Sequence, residues 1–227
     1  ERSTFTNLGL ISLNKRLAEI DLILKESEKH VDKNDSLYNS LCRSAQVLLC
    51  AHFEGYIKDL VKNALDDINR YSDFKSSRQA LKRRHCEYFV RVSSEKKDSR
   101  EHYEKVNELI VEFEELNARF KKEIFSYSDN QNPKSSVLNK IAEQFGVKDF
   151  FRILRKSNLD LVFSNTTAEN FLLCHAMEKR MLASTEVYPF KIELDFLEID
   201  SNKAEQDDFW EAFISGFLKR RHDIAHG

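Results

Sequence analysis

Apolar residues recur at intervals of three and four along most of the chain, the spacing that places them on one face of an α-helix. The first such run predicts a helix over about residues 8–31, and its narrow apolar seam suits packing in a bundle or coiled coil. The seam consists of Leu10, Leu13, Leu17, Ile20 and Leu24. Asn34, Asp35 and Ser36 then predict a break and a helix cap.

A long second helix is predicted over about residues 37–68, because one of its faces is apolar throughout. Its middle, residues 47–53, is the most continuously apolar part of the chain and is predicted to lie at the centre of the core. His52 and Glu54 fall in or next to this region. A buried histidine is most often a hydrogen-bonded core residue, whereas a buried carboxylate needs a cationic partner.

The second half of the chain predicts shorter helices. They cover about residues 96–125, 135–145, 147–156 and 166–182. Gly146 is predicted to end the second of these, and Thr166 with Glu169 forms a capping box that opens the last. Alternating apolar residues and Pro189 predict an extended excursion within residues 185–202.

A closing helix is predicted over residues 207–224, with two aspartates at its start and Gly227 just after its end. Its apolar face consists of Phe209, Trp210, Phe213, Ile214, Phe217 and Ile224. The predicted fold is therefore all-α, an antiparallel helical bundle with long helices and a short extended insertion before the last helix. We expect residues 1–227 to form a single domain.

Composition agrees with long helices around a sizeable core. The 227 residues include 2 prolines, 5 glycines and 17 phenylalanines, and 33% of them are charged. The net charge of −2 provides no global field to attract nucleic acid, so an RNA site depends on a local patch. Four scattered cysteines without a CxxC pair, no membrane-length apolar run and no signal peptide predict a cytoplasmic protein. Because the sequence begins at Glu1 without a Met, residues missing from either end are an open alternative.

The last turn of the closing helix carries the densest group of chemically active side chains, namely Arg220, Arg221, His222 and His226. Histidine exchanges a proton near neutral pH, and arginine binds phosphate with a planar fork of donors, so the group suits phosphodiester chemistry without a metal. The alternative is structural, because basic residues in a last turn interact favourably with the helix dipole. At about 100° per residue, Arg221 and His226 lie roughly 140° apart around the helix and could flank one groove.

Two histidine pairings raise the question of a metal site. His222 and His226 stand four residues apart, but no glutamate lies between them as in a zincin, and no third ligand is evident. His85 and Cys86 are adjacent, with no second pair at ligand spacing. We therefore expect neither a metal nor another cofactor, with a metal hydrolase as the alternative.

Residues 73–105 are rich in lysine and arginine, with Tyr88 and Phe89 among them. The usual interpretation of such a run is a solvated helix face. Cations mixed with aromatic rings also suit single-stranded RNA. The candidate phosphate contacts are Lys82, Arg83, Arg84 and, in the last turn, Arg220.

The last turn resembles the Arg-x4-His motif of the HEPN superfamily. Arg221, His222, Ala225 and His226 match the frequent form Arg-(Asn/His/Asp)-x-x-Ala-His, and Gly227 follows as it often does there. A second stretch, residues 48–58, resembles the early core helix of bacterial HEPN families from defence and toxin loci. Many members are metal-independent endoribonucleases that act as dimers with both motifs facing one cleft, and some have the fold without the activity.

The resemblance implies a HEPN-type endoribonuclease, a toxin or anti-phage effector that works as a homodimer. His226 would transfer the proton in an attack by the RNA 2′-hydroxyl, Arg221 would hold the scissile phosphate, and His222 would assist. The product would be a 2′,3′-cyclic phosphate, and a cognate antitoxin or a neighbouring defence protein would be a further partner.

Polar residues of the early helix often lie near the motif in this superfamily. Glu54 is therefore a candidate supporting residue, with Arg221 as the cation that removes the cost of burying it. The competing interpretation is an inactive helical module that binds RNA or protein through the seam of the first helix.

Overall fold

A computed structural model describes residues 3–90, 99–125, 133–191 and 209–226, apart from the side chains of residues 225 and 226. The α-helices are α1 (Phe5–Glu28), α2 (Asp35–Tyr71), α3 (Gln79–Phe89), α4 (Arg100–Glu115), α5 (Ser135–Gln144), α6 (Phe150–Lys156), α7 (Thr167–Thr185) and α8 (Phe209–His226), with short 3₁₀ helices at Lys122–Ile124 and Asn158–Phe163. No strand occurs within these described ranges, so the predicted all-α fold is confirmed. None of the described helices is both long and apolar enough to cross a membrane.

α1 and α2 form a long antiparallel hairpin. The start of α1 lies beside the end of α2, because the backbone amides of Phe5 and Thr6 donate to Asp67. At the other end of the hairpin, the Sγ of Cys42 lies 3.7 Å from the Oγ of Ser27. The two contacts pair the beginning of one helix with the end of the other, as the predicted antiparallel bundle requires.

Asp67 caps α1 from the neighbouring helix. Its buried carboxylate accepts both amides at 2.8 Å, which satisfies two of the N–H groups that a helix leaves unpaired at its N-terminus. Its charge also complements the positive end of the helix dipole. α7 closes the same end, since the Nδ2 of Asn7 donates to the carbonyl of Leu182 at 2.7 Å and the hydroxyl of Thr4 donates to the carbonyl of Thr185.

The larger core lies between the C-terminal half of α2, α3, α4 and the segment that follows α4. Its buried members are Val61, Leu65, Phe74, Leu81, Cys86, Val106, Ile110, Phe120, Ile124 and Phe125. His85 packs among these rings, and its Nδ1 accepts the backbone N–H of Lys121 at 3.4 Å. Burial, with a smaller effect of Lys121, lowers the pKa of His85 to about 4, so this histidine is a neutral core residue at physiological pH.

A smaller core attaches α8 to α6 and to the middle of α2. Phe151, Ile214 and Leu218 are buried in it. The Sγ of Cys50 lies 3.8 Å from the carbonyl oxygen of Phe217, and four residues further along both helices Glu54 contacts Arg221. Because the contacts advance in the same direction on both helices, α8 runs parallel to α2 while α1 runs antiparallel to it.

Local capping chemistry explains where the central helices end. α4 ends before the end predicted by the run over residues 96–125, because Asn117 adopts a φ of 46° and the N–H of Ala118 closes back to the carbonyl of Phe113 at 2.9 Å. The predicted start of that run falls outside the described residues. Gly146, with a φ of 83°, ends α5 as predicted.

Two other features complete the comparison with the predicted elements. The capping box of Thr166 and Glu169 is present at the start of α7. Residues 186–191 are not helical, in agreement with the predicted insertion, whereas residues 192–202 lie outside the described part of the chain. α3 was not predicted as a separate helix, because its many charges hide the spacing of its buried residues Leu81, His85 and Cys86.

Replacing Asp67 with alanine should lower the free energy of unfolding by about 2–3 kcal/mol, because the first amides of α1 lose a charged acceptor in a buried site. Chemical denaturation followed by circular dichroism measures the change. Asp66→Ala is the matched control, since Asp66 makes a partly exposed ion pair with Lys122 at 3.0 Å and its loss should cost less than about 1 kcal/mol. Equal losses in the two variants would contradict the capping role.

Candidate functional site

Packing holds the C-terminal half of α8 against the middle of α2. The rings of Phe217 and Phe53 meet edge to face, with their centroids 5.8 Å apart. Ile214 and Leu218 are buried on the same side of α8. Arg221 follows at the helical spacing of three and four, so it lies on the side of α8 that faces α2.

Arg221 forms an ion pair with Glu54 across the interface between α8 and α2. The Nη1 of Arg221 donates to the Oε1 of Glu54. The side chains are 27% and 23% exposed, so the pair is largely but not fully removed from water. The partly buried carboxylate of Glu54 therefore has the cationic partner that was expected. The ion pair fixes the orientation of the Arg221 guanidinium.

Cys50 lies one turn before Glu54 on the same face of α2, and it is fully buried. Its Sγ is 3.6 Å from the Nε2 of Gln46 and 3.8 Å from the carbonyl oxygen of Phe217. Burial raises the pKa of the thiol and outweighs the opposing effects of Gln46 and Arg221. At neutral pH the thiol is therefore protonated, which makes Cys50 a packing residue of the site and a poor nucleophile.

The other residues of the last turn lie on either side of Arg221. Arg220 and His222 are exposed, about 100° from Arg221 in opposite directions around the helix. The backbone of His226 is helical, but its side chain lies outside the described part of the structure. The groove expected between Arg221 and His226 therefore stays a prediction.

His52 does not share the face of α2 that meets α8. It stands two residues from Glu54, which is roughly 160° around a helix at about 100° per residue. Its Nε2 is buried and has no hydrogen-bond partner within the described structure. His52 is therefore separate from the pair at Arg221.

The basic residues of α3 are engaged within the protein. The Nζ of Lys82 is buried, 2.7 Å from the Oε1 of Glu114 on α4 and 3.1 Å from the carbonyl of Lys75. Arg83 lies over the ring of Tyr103 at 4.8 Å and 3.5 Å from Glu87. This arrangement differs from the predicted phosphate-contacting face.

Arg84 is also turned inward, since its Nη2 donates to the carbonyl of Ile124 at 3.2 Å. The physical reason is that α3 lies between α4 and the 3₁₀ turn at Lys122–Ile124, so cations beside Leu81 and Cys86 are buried with them. The ammonium of Lys82, on a side chain that is only 9% exposed, is out of reach of a phosphate in solution, and the Nη2 of Arg84 is directed at a backbone carbonyl. We therefore place no RNA contact on Lys82 or Arg84, whereas Arg220 is exposed and the side chain of Arg83 is 43% exposed.

The described residues contain no candidate metal site. Their His, Cys, Asp and Glu side chains form no group of three or more suited to a metal ion. The pair of His222 and His226 lies partly outside the described residues, because the side chain of His226 is not among them. His85 and Cys86 are both core residues, which accounts for their adjacency without a ligand role.

An exposed set of rings on and beside α8 was not singled out from the sequence. Phe163, Phe209 and Phe213 are exposed, and the ring of Phe163 contacts the rings of the other two. Phe209, Phe213 and Arg220 stand at spacings of four and seven in the sequence, which places them on one helix face. The sequence shows this spacing, but it does not show that the rings are exposed, because an apolar helix face is ordinarily assigned to the core.

One comparison with known protein families covers nearly all of the chain. Residues 11–227 match the family described as RiboL-PSP-HEPN. No curated protein matched the chain. No solved structure matched it either.

Lys82→Met should lower the free energy of unfolding by about 1–3 kcal/mol, because the carboxylate of Glu114 loses its cation in a mostly buried place. Arg83→Met is the matched control, since its side chain is 43% exposed and its ion pair is superficial, so the change should stay below about 1 kcal/mol. Denaturation curves and RNA affinity are measured on the same preparations. A Lys82→Met protein with unchanged stability and weakened RNA binding would contradict this assignment and show that Lys82 contacts RNA.

Proposed function

The chain belongs to the RiboL-PSP-HEPN family, and we propose that it is a metal-independent endoribonuclease whose site is the last turn of α8. Family membership supports an RNA-related function. The ion pair of Arg221 with Glu54 is the observation that carries the proposal further. It presents an oriented cation, on a side chain that is 27% exposed, at the position where the motif requires one.

Arg221 is suited to hold a phosphate because its charge is permanent and its donors lie in one plane. The contact with Glu54 restricts the rotamers of the side chain, so less entropy is lost when the phosphate binds. In the proposed mechanism the guanidinium also offsets the charge that develops on the phosphoryl oxygens. Glu54 acts through Arg221 and is a positioning residue.

His226 is proposed to carry the proton transfer. It removes the proton from the RNA 2′-hydroxyl, whose oxygen forms a bond to phosphorus while the bond from phosphorus to the 5′-oxygen breaks. The leaving oxygen takes up a proton, from His226 or with the help of His222. The products are a 2′,3′-cyclic phosphate and a 5′-hydroxyl, and every step is carried by side chains of the last turn.

The biological setting proposed for this activity is a toxin or anti-phage effector in the cytoplasm, restrained by a cognate antitoxin or a neighbouring defence protein. It rests on the resemblance of the motif and of residues 48–58 to such families. The second candidate is an inactive helical module. The same ion pair favours it, because a carboxylate that holds Arg221 also ties α8 to α2 without any catalysis.

His226→Ala should reduce RNA cleavage by a factor of about 10²–10⁴ and leave the fold intact, because a general acid or base contributes that much and a last-turn side chain contributes little packing. Arg221→Ala should be similarly inactive, and Arg221→Lys should recover part of the rate, since lysine keeps the charge and loses the planar fork. EDTA should not change the wild-type rate. Cleavage of total RNA by purified protein is the measurement.

Lys219→Ala is the control for these variants, because Lys219 is an exposed cation on the same helix. Circular dichroism establishes that each variant is folded. Full activity in folded His226→Ala would assign the cleavage to another site. Unfolding of His226→Ala would make the residue structural, and loss of wild-type activity in EDTA would establish the metal-dependent alternative.

A symmetric homodimer is expected, because one chain supplies one Arg221 and one His226 whereas a shared cleft would contain two of each. Light scattering should give twice the chain mass of 26.7 kDa at micromolar concentration. Activity per chain should fall on dilution through the dissociation range of the dimer. A monomer whose specific activity does not depend on concentration would contradict the shared cleft.

A further inference from the structure

Three phenylalanines form an exposed aromatic stripe along one side of α8. Phe163, Phe209 and Phe213 are 38%, 44% and 54% exposed. The centroid of the Phe163 ring lies 5.7 Å from that of Phe209 and 6.2 Å from that of Phe213. Exposed rings in contact with one another are a larger apolar patch than single surface residues and call for a partner.

The stripe continues toward the candidate site. The ring of Phe213 is nearly parallel to that of Phe217, at 11° and 6.2 Å between centroids. Phe217 in turn packs on α2 one turn before Arg221. The aromatic surface therefore extends to the edge of the proposed phosphate-binding residue.

The face that carries the stripe also carries a cation. Arg220 stands seven residues after Phe213, which returns to nearly the same angle around the helix, and it is exposed. At 1.5 Å per residue the two lie about 10 Å apart along the axis, a length that about three stacked nucleotides cover. Glu211, on the opposite side of α8, is bound by Arg155 at 3.0 Å and faces away from the stripe.

We propose that the aromatic stripe stacks unpaired RNA bases while Arg220 binds their backbone, so that the substrate of the site is single-stranded RNA. The inference rests on the proposed ribonuclease function and adds its substrate class. Rings with an adjoining arginine are the combination that binds single strands, because every base has a face to stack and every nucleotide carries a phosphate. In a duplex the base faces are covered, so the stripe would have nothing to hold.

The alternative occupant of the stripe is a second copy of the chain. An interface between copies requires apolar area, and a leucine provides that nearly as well as a phenylalanine. Stacking requires a ring. The position of Arg220 on the same face favours RNA, because a cation beside the rings suits a phosphate backbone, whereas an apolar contact between copies does not require one.

The test measures affinity for a labelled short single-stranded RNA and for a hairpin of the same length, using the His226→Ala protein so that the RNA stays intact. The single strand should bind more tightly than the hairpin. Phe213→Ala in that background should weaken single-strand binding roughly five- to hundredfold. Phe213→Leu should weaken it equally, and Phe213→Tyr should retain it.

Phe171→Ala is the matched control, because Phe171 is 70% exposed on α7 and lies outside the stripe, so its loss should leave RNA binding unchanged. Phe209→Ala serves as the second stripe variant should Phe213→Ala fail to fold. Unchanged single-strand affinity in the stripe variants, equal binding of strand and hairpin, or no binding of either RNA would overturn the inference. Light scattering on the same variants adds one more contrary outcome. The inference would also be overturned if Phe213→Ala dissociated a dimer while Phe213→Leu kept both the dimer and its RNA affinity.

Cleavage by the wild-type chain and by Phe213→Ala in an otherwise wild-type chain, measured in parallel, separates this inference from the proposed function. RNA cleavage that does not depend on Phe213 would refute the stripe and leave the ribonuclease in place. Binding that depends on Phe213 without any cleavage would refute the ribonuclease and leave the stripe as an RNA-binding surface.

Discussion

The carboxylate of Glu54 is the constraint around which the C-terminal part of the molecule is arranged. It stands next to the most apolar stretch of α2, where a charge without a partner would be costly. Arg221 provides the partner, and it does so from another helix 167 positions later in the sequence. An ion pair of this kind adds little net stability, because both charges lose water. Its effect is to select one register of α8 against α2.

α2 serves as the platform for this arrangement because its separate faces meet different neighbours. Toward its end, Val61 and Leu65 enter the larger core, while Asp67 caps the start of α1. In its middle, Cys50, Phe53 and Glu54 meet α8. A site carried on such a helix inherits the rigidity of the whole hairpin, since moving α8 would break contacts in the smaller core as well as the ion pair.

The elements that sequence could predict are those whose signals are local. The helical periodicity of α1, the capping box at Thr166 and the stop at Gly146 each depend on a few neighbouring residues. The Glu54 contact could be predicted for a different reason: a charge in an apolar stretch needs a partner, and the family resemblance suggested Arg221 as that partner. The burial of Lys82 could not be predicted, because it depends on Glu114 on another helix. A run of lysine and arginine does not reveal which of its members face inward. The exposed stripe at Phe213 was hidden because an apolar helix face is the usual sign of a core.

The ion pair also sets an electrostatic condition on the proposed chemistry. Glu54 orients Arg221, yet its negative charge opposes the phosphate that Arg221 would hold, and the chain as a whole carries a net charge of −2. One oriented arginine is therefore a weak anion site by itself. Further positive charge has to come from nearby, and the sequence places Arg220 directly beside it. A second Arg221 in a shared cleft would supply the rest, so that under this proposal pairing of chains strengthens phosphate binding as well as bringing the histidines together. Under the same proposal an isolated chain would be folded, with Arg221 oriented, but poorly charged for RNA, so that assembly itself would control the proposed activity.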